Sequence, residues 1–248
     1  MNFSKPLLIT KLKATAVHLS MSVAVFVYLA YQIYYNWYPE PYFSIDGGWA
    51  AIRLVGAVDL VLGPLITFLI FDLTKSRRAI LFDLLIILVI QFGALAYGVH
   101  TTYTQRPVAI VMIDDFAVPA TMEHYGGTLA SASELYRYSD ERPPIILVGL
   151  PTSLEGAAEV HRIKLEDKVL EHAQTSLYRP HSELAAALQK RQIQAFDLLG
   201  RSGQTKALED WLQQNGKSED DVLISQFSGR YGKAWLVFDL DGVYVDYF

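Results

Sequence analysis

Chemistry in this sequence could come from a close pair of carboxylates, from histidines, or from polar groups inside apolar runs. The carboxylate pair that sits in a motif is in FDLDGVYVD, where Asp239 and Asp241 stand two residues apart at the end of an apolar stretch. A nucleophilic carboxylate beside an acid/base carboxylate is the arrangement for phosphate-ester hydrolysis through a covalent intermediate. His161, His172 and His181 are eleven and nine residues apart, with no H-x-x-x-H or H-E-x-x-H, so they read as surface histidines rather than a metal site. There is no cysteine, which removes thiolate nucleophiles, disulfides and Cys-ligated metals. Glycine-rich phosphate cradles and a G-x-S-x-G elbow are absent as well. No catalytic residue, metal or cofactor is therefore expected. The acidic clusters Asp114-Asp115 and Glu219-Asp220-Asp221 read as caps or solvated groups, the latter at the start of a strand-bearing segment.

The other chemically notable group is Asp59, a carboxylate inside the apolar run of DGGWAAIRLVGAVDLVLGPLITFLIF, Asp46 to Phe71. At about 100° per residue, Arg53, Gly56, Asp59, Gly63 and Thr67 share one arc of a helix, opposite Leu54, Val58, Val61, Leu62, Leu65 and Leu69. A small-and-polar face of this kind needs a cover. Pro64 removes one backbone donor and favours a kink or local opening.

The elements that hold these groups divide the chain in two. Ala14–Tyr35, Arg53–Phe71 and Ile80–Tyr97 are each near the 20 apolar residues that cross a bilayer. A cleavable signal peptide is excluded for the first by its length, its terminal aromatics and the lack of an A-x-A-like site. Lys5, Lys11 and Lys13 precede the first span, and Lys75, Arg77 and Arg78 lie between the second and third; residues 36–51 carry no Lys or Arg. By the positive-inside rule the N-terminus and the 72–79 loop face the cytoplasm, and the 36–52 loop and the C-terminal part face outward.

An intramembrane carboxylate needs a partner. At the depth of Asp59, Gln91 on the third span and Tyr28 on the first are the internal candidates, while His18 is too far along the axis to pair directly. Asp59 then fixes helix packing, contacts a partner's transmembrane helix, or belongs to a proton relay. The relay is poorly supplied, since only His18 and Asp83 could join it. Asp46, Gly47, Gly48 and Trp49 complete the stretch as a docking element on the outer side.

After residue 100 the charge balance changes to 14 Lys and Arg against 21 Asp and Glu, which argues against a nucleic-acid surface. Val108–Ile113 and Ile145–Leu150 read as strands. Glu155–Thr175, Glu183–Leu199 and Lys206–Asn215 read as helices, the last closed by Gly216. In the final segment Asp241-Gly242 suits a two-residue hairpin turn, pairing Leu240 with Val243, Phe238 with Val245 and Leu236 with Tyr247. The same residues resemble the first motif of haloacid-dehalogenase-type phosphatases. That chemistry needs a following helix, a lysine and more carboxylates for Mg²⁺, and after Asp246 come only Tyr247 and Phe248. A membrane-anchored hydrolase using Asp239 and Asp241 is the alternative function.

A second resemblance is broader. KLKATAVHL, the DGGWAAIRLVGAVDLVLGPLITFLIFD stretch, KSRR, LAYGV with QRPV, and more loosely Tyr178-Arg179-Pro180, ALEDWLQQNG and SGRYGKAWLVFDL resemble type IV pilin accessory proteins of the TfpX/TfpZ type. The resemblance implies a bacterial inner-membrane protein without enzymatic activity or cofactor, whose partners are type IV pilin, other pilus-assembly proteins and membrane lipid. The expected architecture is a three-helix transmembrane domain, 1–101, and a periplasmic mixed α/β domain, 102–248, ending in a β-hairpin. Arg53, Gly56, Asp59, Gly63, Pro64 and Thr67 are the expected packing or partner-binding residues within the membrane.

Overall fold

The computed structural model describes residues 5–72, 75–114 and 116–248. Asp115 and part of the 72–79 loop lie outside the described residues. The chain separates into two compact units: residues 1–39 with 48–104, and residues 40–47 with 105–248.

The first unit is built from three helices long and apolar enough to span a membrane: Lys5–Trp37, Gly48–Ile70 and Arg77–Thr104. The first is α1 (Lys5–Tyr31), finished by a wide π turn, Gln32–Trp37. The second is α2 (Gly48–Gly56), a π turn (Ala57–Leu62) and α3 (Gly63–Ile70). The third is α4 (Arg77–Thr104). Leu88, Phe82 and Phe92 on α4 are 63%, 62% and 70% exposed. Leaving each such side chain in water costs about 1.5–3 kcal/mol relative to burial, and hydrocarbon removes that cost. Pro64 has no N–H to bond back along the helix, and the π turn immediately before it is where the chain absorbs the loss. Tyr38 donates to the carbonyl of Thr102 at 3.1 Å, and the rings of Trp37 and Tyr103 meet edge-on at 5.4 Å.

The second unit is a seven-stranded mixed sheet: β1 (Pro107–Ile113), β2 (Phe116–Thr121), β3 (Ile145–Val148), β4 (Tyr178–Arg179), β5 (Leu223–Ser228), β6 (Lys233–Phe238) and β7 (Tyr244–Tyr247), ordered β4-β3-β1-β2-β5-β6-β7. The β1/β3 and β2/β5 pairs are parallel and the others antiparallel. Helices α6 (Leu184–Ser202) and α7 (Thr205–Asn215) bring Leu199, Leu208 and Trp211 to one core cluster with Ile224, Trp235 and Val237. A second cluster joins Val111, Ile146 and Val148 to Tyr125, Leu135 and Tyr178. This is the expected class of fold, three apolar helices followed by a mixed α/β domain closed by hairpin-like pairing.

Several details differ from the sequence expectation. α5 spans Leu154–Glu166, ending nine residues short of Thr175. Lys168 follows at a positive φ of 57°, and the Gln174 amide donates to the carbonyls of Val160 and Val169. The terminal hairpin keeps Leu236 opposite Tyr247 but sets Phe238 opposite Tyr244, with an irregularity between Val237 and Phe238. The turn is longer than two residues, because Gly242 donates to the Asp239 carbonyl and alone takes the positive φ, 82°. Trp235, Leu236, Val237 and Phe238 are all fully buried, so β6 is covered on both faces rather than one. Leu240, Val243 and Val245 are exposed.

Candidate functional site

The polar groups of the first unit gather along one seam. α1 presents Lys11, His18 and Ser22 to the second span, a spacing of seven and then four that suits one face of a helix. Lys11 is buried, and its ammonium donates to the carbonyls of Phe68 and Leu69 at 3.1 and 3.0 Å. These are end carbonyls of α3, where a cation meets both orphan acceptors and the negative end of the helix dipole. Two turns further along α1, His18 Nδ1 bonds the hydroxyl of Thr67, which in turn donates to the Gly63 carbonyl at 3.1 Å. Thr67 therefore accepts from His18.

Asp59 stands at the centre of the seam, inside the π turn and buried. Its Oδ1 accepts from Ser22 Oγ at 3.1 Å and from Gln91 Nε2 at 2.9 Å, so one oxygen joins all three spans. Oδ2 is buried with no hydrogen-bond partner among the described residues. An unsatisfied polar group in hydrocarbon costs several kcal/mol, roughly 2–7 by transfer scales. Gly63 makes the approach of Gln91 possible: a Cβ there would meet the amide at 2.5 Å. Between α1 and α4, over this polar floor, lies a groove of ≈ 660 Å³ whose lining includes Met21, Ser22, Asp59, Leu88, Gln91 and Phe92.

The inner face of the second span runs Ala51, Val55, Asp59, Gly63 and Thr67, all buried, at intervals of four. In a regular α-helix that interval drifts around the axis; the wide π turn, with i→i+5 bonds, holds it on one side. This shifts the face away from the expected arc. Arg53 is exposed and Gly56 only half-buried, 3.2 Å from Phe26 at the position a Cβ would take. Tyr28 is 61% exposed and does not pair with Asp59; Ser22 takes that place. Ser22 and Lys11 escaped the sequence reading, although polar residues at 11, 15, 18 and 22 of an apolar helix were a visible signal.

The outer unit receives the other expected residues. Asp46 is buried and its Oδ1 accepts the backbone N–H of Arg230 at 2.8 Å. Tyr231 N–H donates to the Ile45 carbonyl at 2.9 Å, and Tyr42 packs edge-on against Phe227 at 5.9 Å. Gly229 lies so close that a Cβ would meet the Ile45 oxygen at 2.6 Å. Residues 40–47 are thus clamped by the β5–β6 turn, and Gly47, at φ 118°, redirects the chain after Asp46. Burial pushes the Asp46 carboxyl up, opposed by its bond to Arg230. Gly48 and Pro64 are buried in the first unit, whereas Trp49 is 52% exposed.

Asp239, the nucleophile of the alternative hydrolase reading, has a structural task. Asp239 Oδ1 accepts the backbone N–H groups of Asp241 and Val243 at 3.0 and 2.8 Å, which holds the turn. Among the described residues no group of three or more His, Asp or Glu could hold a metal. His161 is exposed as expected, whereas His172 is half-buried, its Nε2 3.0 Å from His124 Nδ1. Thr121 N–H also donates to that Nδ1, so His172 is the donor. Burial, then the neighbouring His124, pushes His172 down to about 4, and burial lowers His124 as well. Asp114 pairs with Arg191 at 2.8 Å and Asp221 caps Ser218.

Comparison with known proteins adds identity to this geometry. The family described as fimbrial assembly protein FimB matches residues 6–47, the first span and the clamped segment. A fimbrial assembly protein of Dichelobacter nodosus, serogroups C1 and C2, is 35% identical over 99 residues, covering 40% of this chain and 76% of the relative. The chain belongs to the fimbrial assembly protein family. Two longer members from the same organism, of serogroups E1 and I, are also 35% identical over 99 residues, but the match spans only 38% of each. No solved structure matches this chain. Its kinship is with membrane-associated pilus assembly proteins, and its two chemically notable carboxylates, Asp59 and Asp239, are engaged in helix packing and turn formation.

Proposed function

We propose that this chain is a non-enzymatic inner-membrane accessory protein of the TfpX/TfpZ type, assisting pilin stability, pilus assembly or pilus function by contacting type IV pilin. The N-terminus faces the cytoplasm and the 105–248 domain the periplasm, following the lysines and arginines at 5–13 and 75–78. Gly56, Asp59, Gly63, Pro64 and Thr67 serve membrane packing and the exposed Arg53 serves partner binding, with Asp46 to Trp49 linking that stretch to the outer domain. The observation that carries the reading is the 99-residue match to fimbrial assembly proteins in a chain whose candidate nucleophile, Asp239, holds a β-turn.

Deleting the gene and scoring both pilin level and surface pili tests it. Loss of pili with normal pilin places the role in assembly, loss of both places it in pilin stability, and no change in either, with pilus-driven motility also intact, rejects the reading. Asp239→Asn should leave piliation intact, which a hydrolase would not allow.

A further inference from the structure

We propose that the groove between α1 and α4 is a seat for a fourth transmembrane helix, one that presents a hydrogen-bond donor to Asp59. The proposal deepens the reading above, and rests on its claim that the chain works on a membrane-held partner. Four observations support it. The groove extends from Thr10 to Val25 on α1 and from Leu84 to Leu95 on α4, about 22 and 16 Å at helical rise. That is more than half of a hydrocarbon core of about 30 Å, so the seat runs along the membrane normal as a helix does. Its walls are apolar side chains such as Met21, Val25, Leu88 and Phe92, while its floor holds Asp59, a buried carboxylate in a π turn, the helix irregularity that recurs at functional sites.

Two donors, Ser22 and Gln91, already converge on Oδ1 of Asp59, and Oδ2 is left without one among the described residues. Inside a bilayer such a leftover is met by an internal partner or by an incoming group. Lipid chains fill apolar grooves but carry no donor at this depth. A helix bearing a serine, threonine, asparagine or glutamine, or an amine, does. Side-chain hydrogen bonds of this sort are an established means of helix association in membranes.

The test is in-cell photocrosslinking with the full-length protein, placing the photoreactive residue at Met21 or Leu88, which line the groove, and at Leu19 or Val89, which do not. The expected result is a protein adduct, mapped to a transmembrane segment, from the first pair only. Asp59→Asn keeps an acceptor for Ser22 and Gln91 but turns the open position into a donor, and should lower the adduct roughly fivefold or more. Leu88→Trp fills the groove without touching those bonds and should lower the Met21 adduct similarly, which covers the case of an Asp59 variant that fails to accumulate. Adducts to lipid alone, adducts to a second copy of this chain, or protein adducts indifferent to both variants overturn the proposal. If the trapped helix is sensitive to both variants but is not pilin, the seat stands and the pilin reading falls. If outer-domain probes trap pilin while the groove yields lipid only, the seat falls and the pilin reading stands.

Discussion

Asp46 and Asp59 lie thirteen residues apart on one stretch of chain, yet each belongs to a different unit. Both are almost fully buried, both use one carboxyl oxygen for hydrogen bonds, and both leave the other without a partner among the described residues. Their partners differ in kind. Asp46 accepts a single backbone N–H from a turn far along the sequence, within a clamp made mainly of Tyr42, Phe43 and Ile45. Asp59 accepts two side-chain donors from two other helices, in a unit whose outer surface is apolar. Where packing is driven by water, a buried carboxylate is an accessory to apolar burial. Where lipid surrounds the helices, apolar side chains gain little by meeting each other, and the few polar contacts specify the arrangement.

The clamp should therefore fail through its apolar part. Tyr42 is fully buried against Phe227, and Tyr42→Ala is expected to destabilise the outer domain by about 3–5 kcal/mol, the usual cost of emptying an aromatic site. Fluorescence-detected unfolding of the full chain in nanodiscs checks this, since Trp211 and Trp235 both report on that domain's core. Tyr42→Phe sharpens the point. The Tyr42 hydroxyl is buried without a partner among the described residues, so its removal should be neutral or slightly stabilising.

Next in size is a pH effect on the outer domain. His172 sits below its ordinary value, at about 4, and His124 is lowered too; Glu123, Glu171 and Arg230 are the charges that bear on the pair. Below about pH 6.5 the unfolded chain takes up protons that the folded pair refuses, so stability falls as pH drops towards 4. The expected loss is roughly 2 kcal/mol after allowance for solvent screening. His172→Gln should flatten that part of the stability–pH curve; an unchanged slope would assign it to other groups.

In the membrane unit, Asp59→Ala leaves Ser22 and Gln91 without their shared acceptor. Interhelical bonds of this kind are worth about 0.6–2 kcal/mol each, so a loss of roughly 1–3 kcal/mol is expected in detergent-titrated unfolding. Ser22→Ala and Gln91→Ala should each cost less. Indifference to all three would mean that apolar packing alone holds the spans together.

How much of this was readable in advance follows the same divide. The three spans announce themselves, because lipid demands long apolar runs, and Gln91 could be matched to Asp59 by depth alone. The exact inner face could not: the π turn rotates the second span, moving Arg53 out and aligning Ala51 and Val55 with Asp59. Tyr28 lies six residues, about 9 Å of helix, beyond Ser22 and on an exposed side of α1, so it misses Asp59 in depth and in face, whereas Ser22 has the right depth and the right face. In the outer unit β1, β3 and the last hairpin were visible as β-branched or aromatic runs. β2 was hidden by Pro119 and β4 by its two-residue length. The clamp at 40–47 depends on an encounter with residues near 230, which no local pattern encodes.

The smallest predicted effect separates the two carboxylates most directly. Burial raises the folded-state value of Asp46, so the native state holds that proton more tightly than the unfolded chain. Its contribution is most favourable at low pH and is lost as pH rises through the folded value, the opposite sign to the histidine pair. Asp46→Asn keeps an oxygen for Arg230 N–H and removes the charge. It is expected to raise outer-domain stability at neutral pH by a few tenths of a kcal/mol to about 1 kcal/mol, with no effect at pH 4. The same change at Asp59 preserves the internal bonds but reverses the hydrogen-bonding sense of the free position. A gain in stability at 46 together with a loss of partner capture at 59 would show one residue type serving two purposes within a single short stretch. Destabilisation at 46 would instead mean that the clamp depends on the carboxylate's charge and not merely on its oxygen.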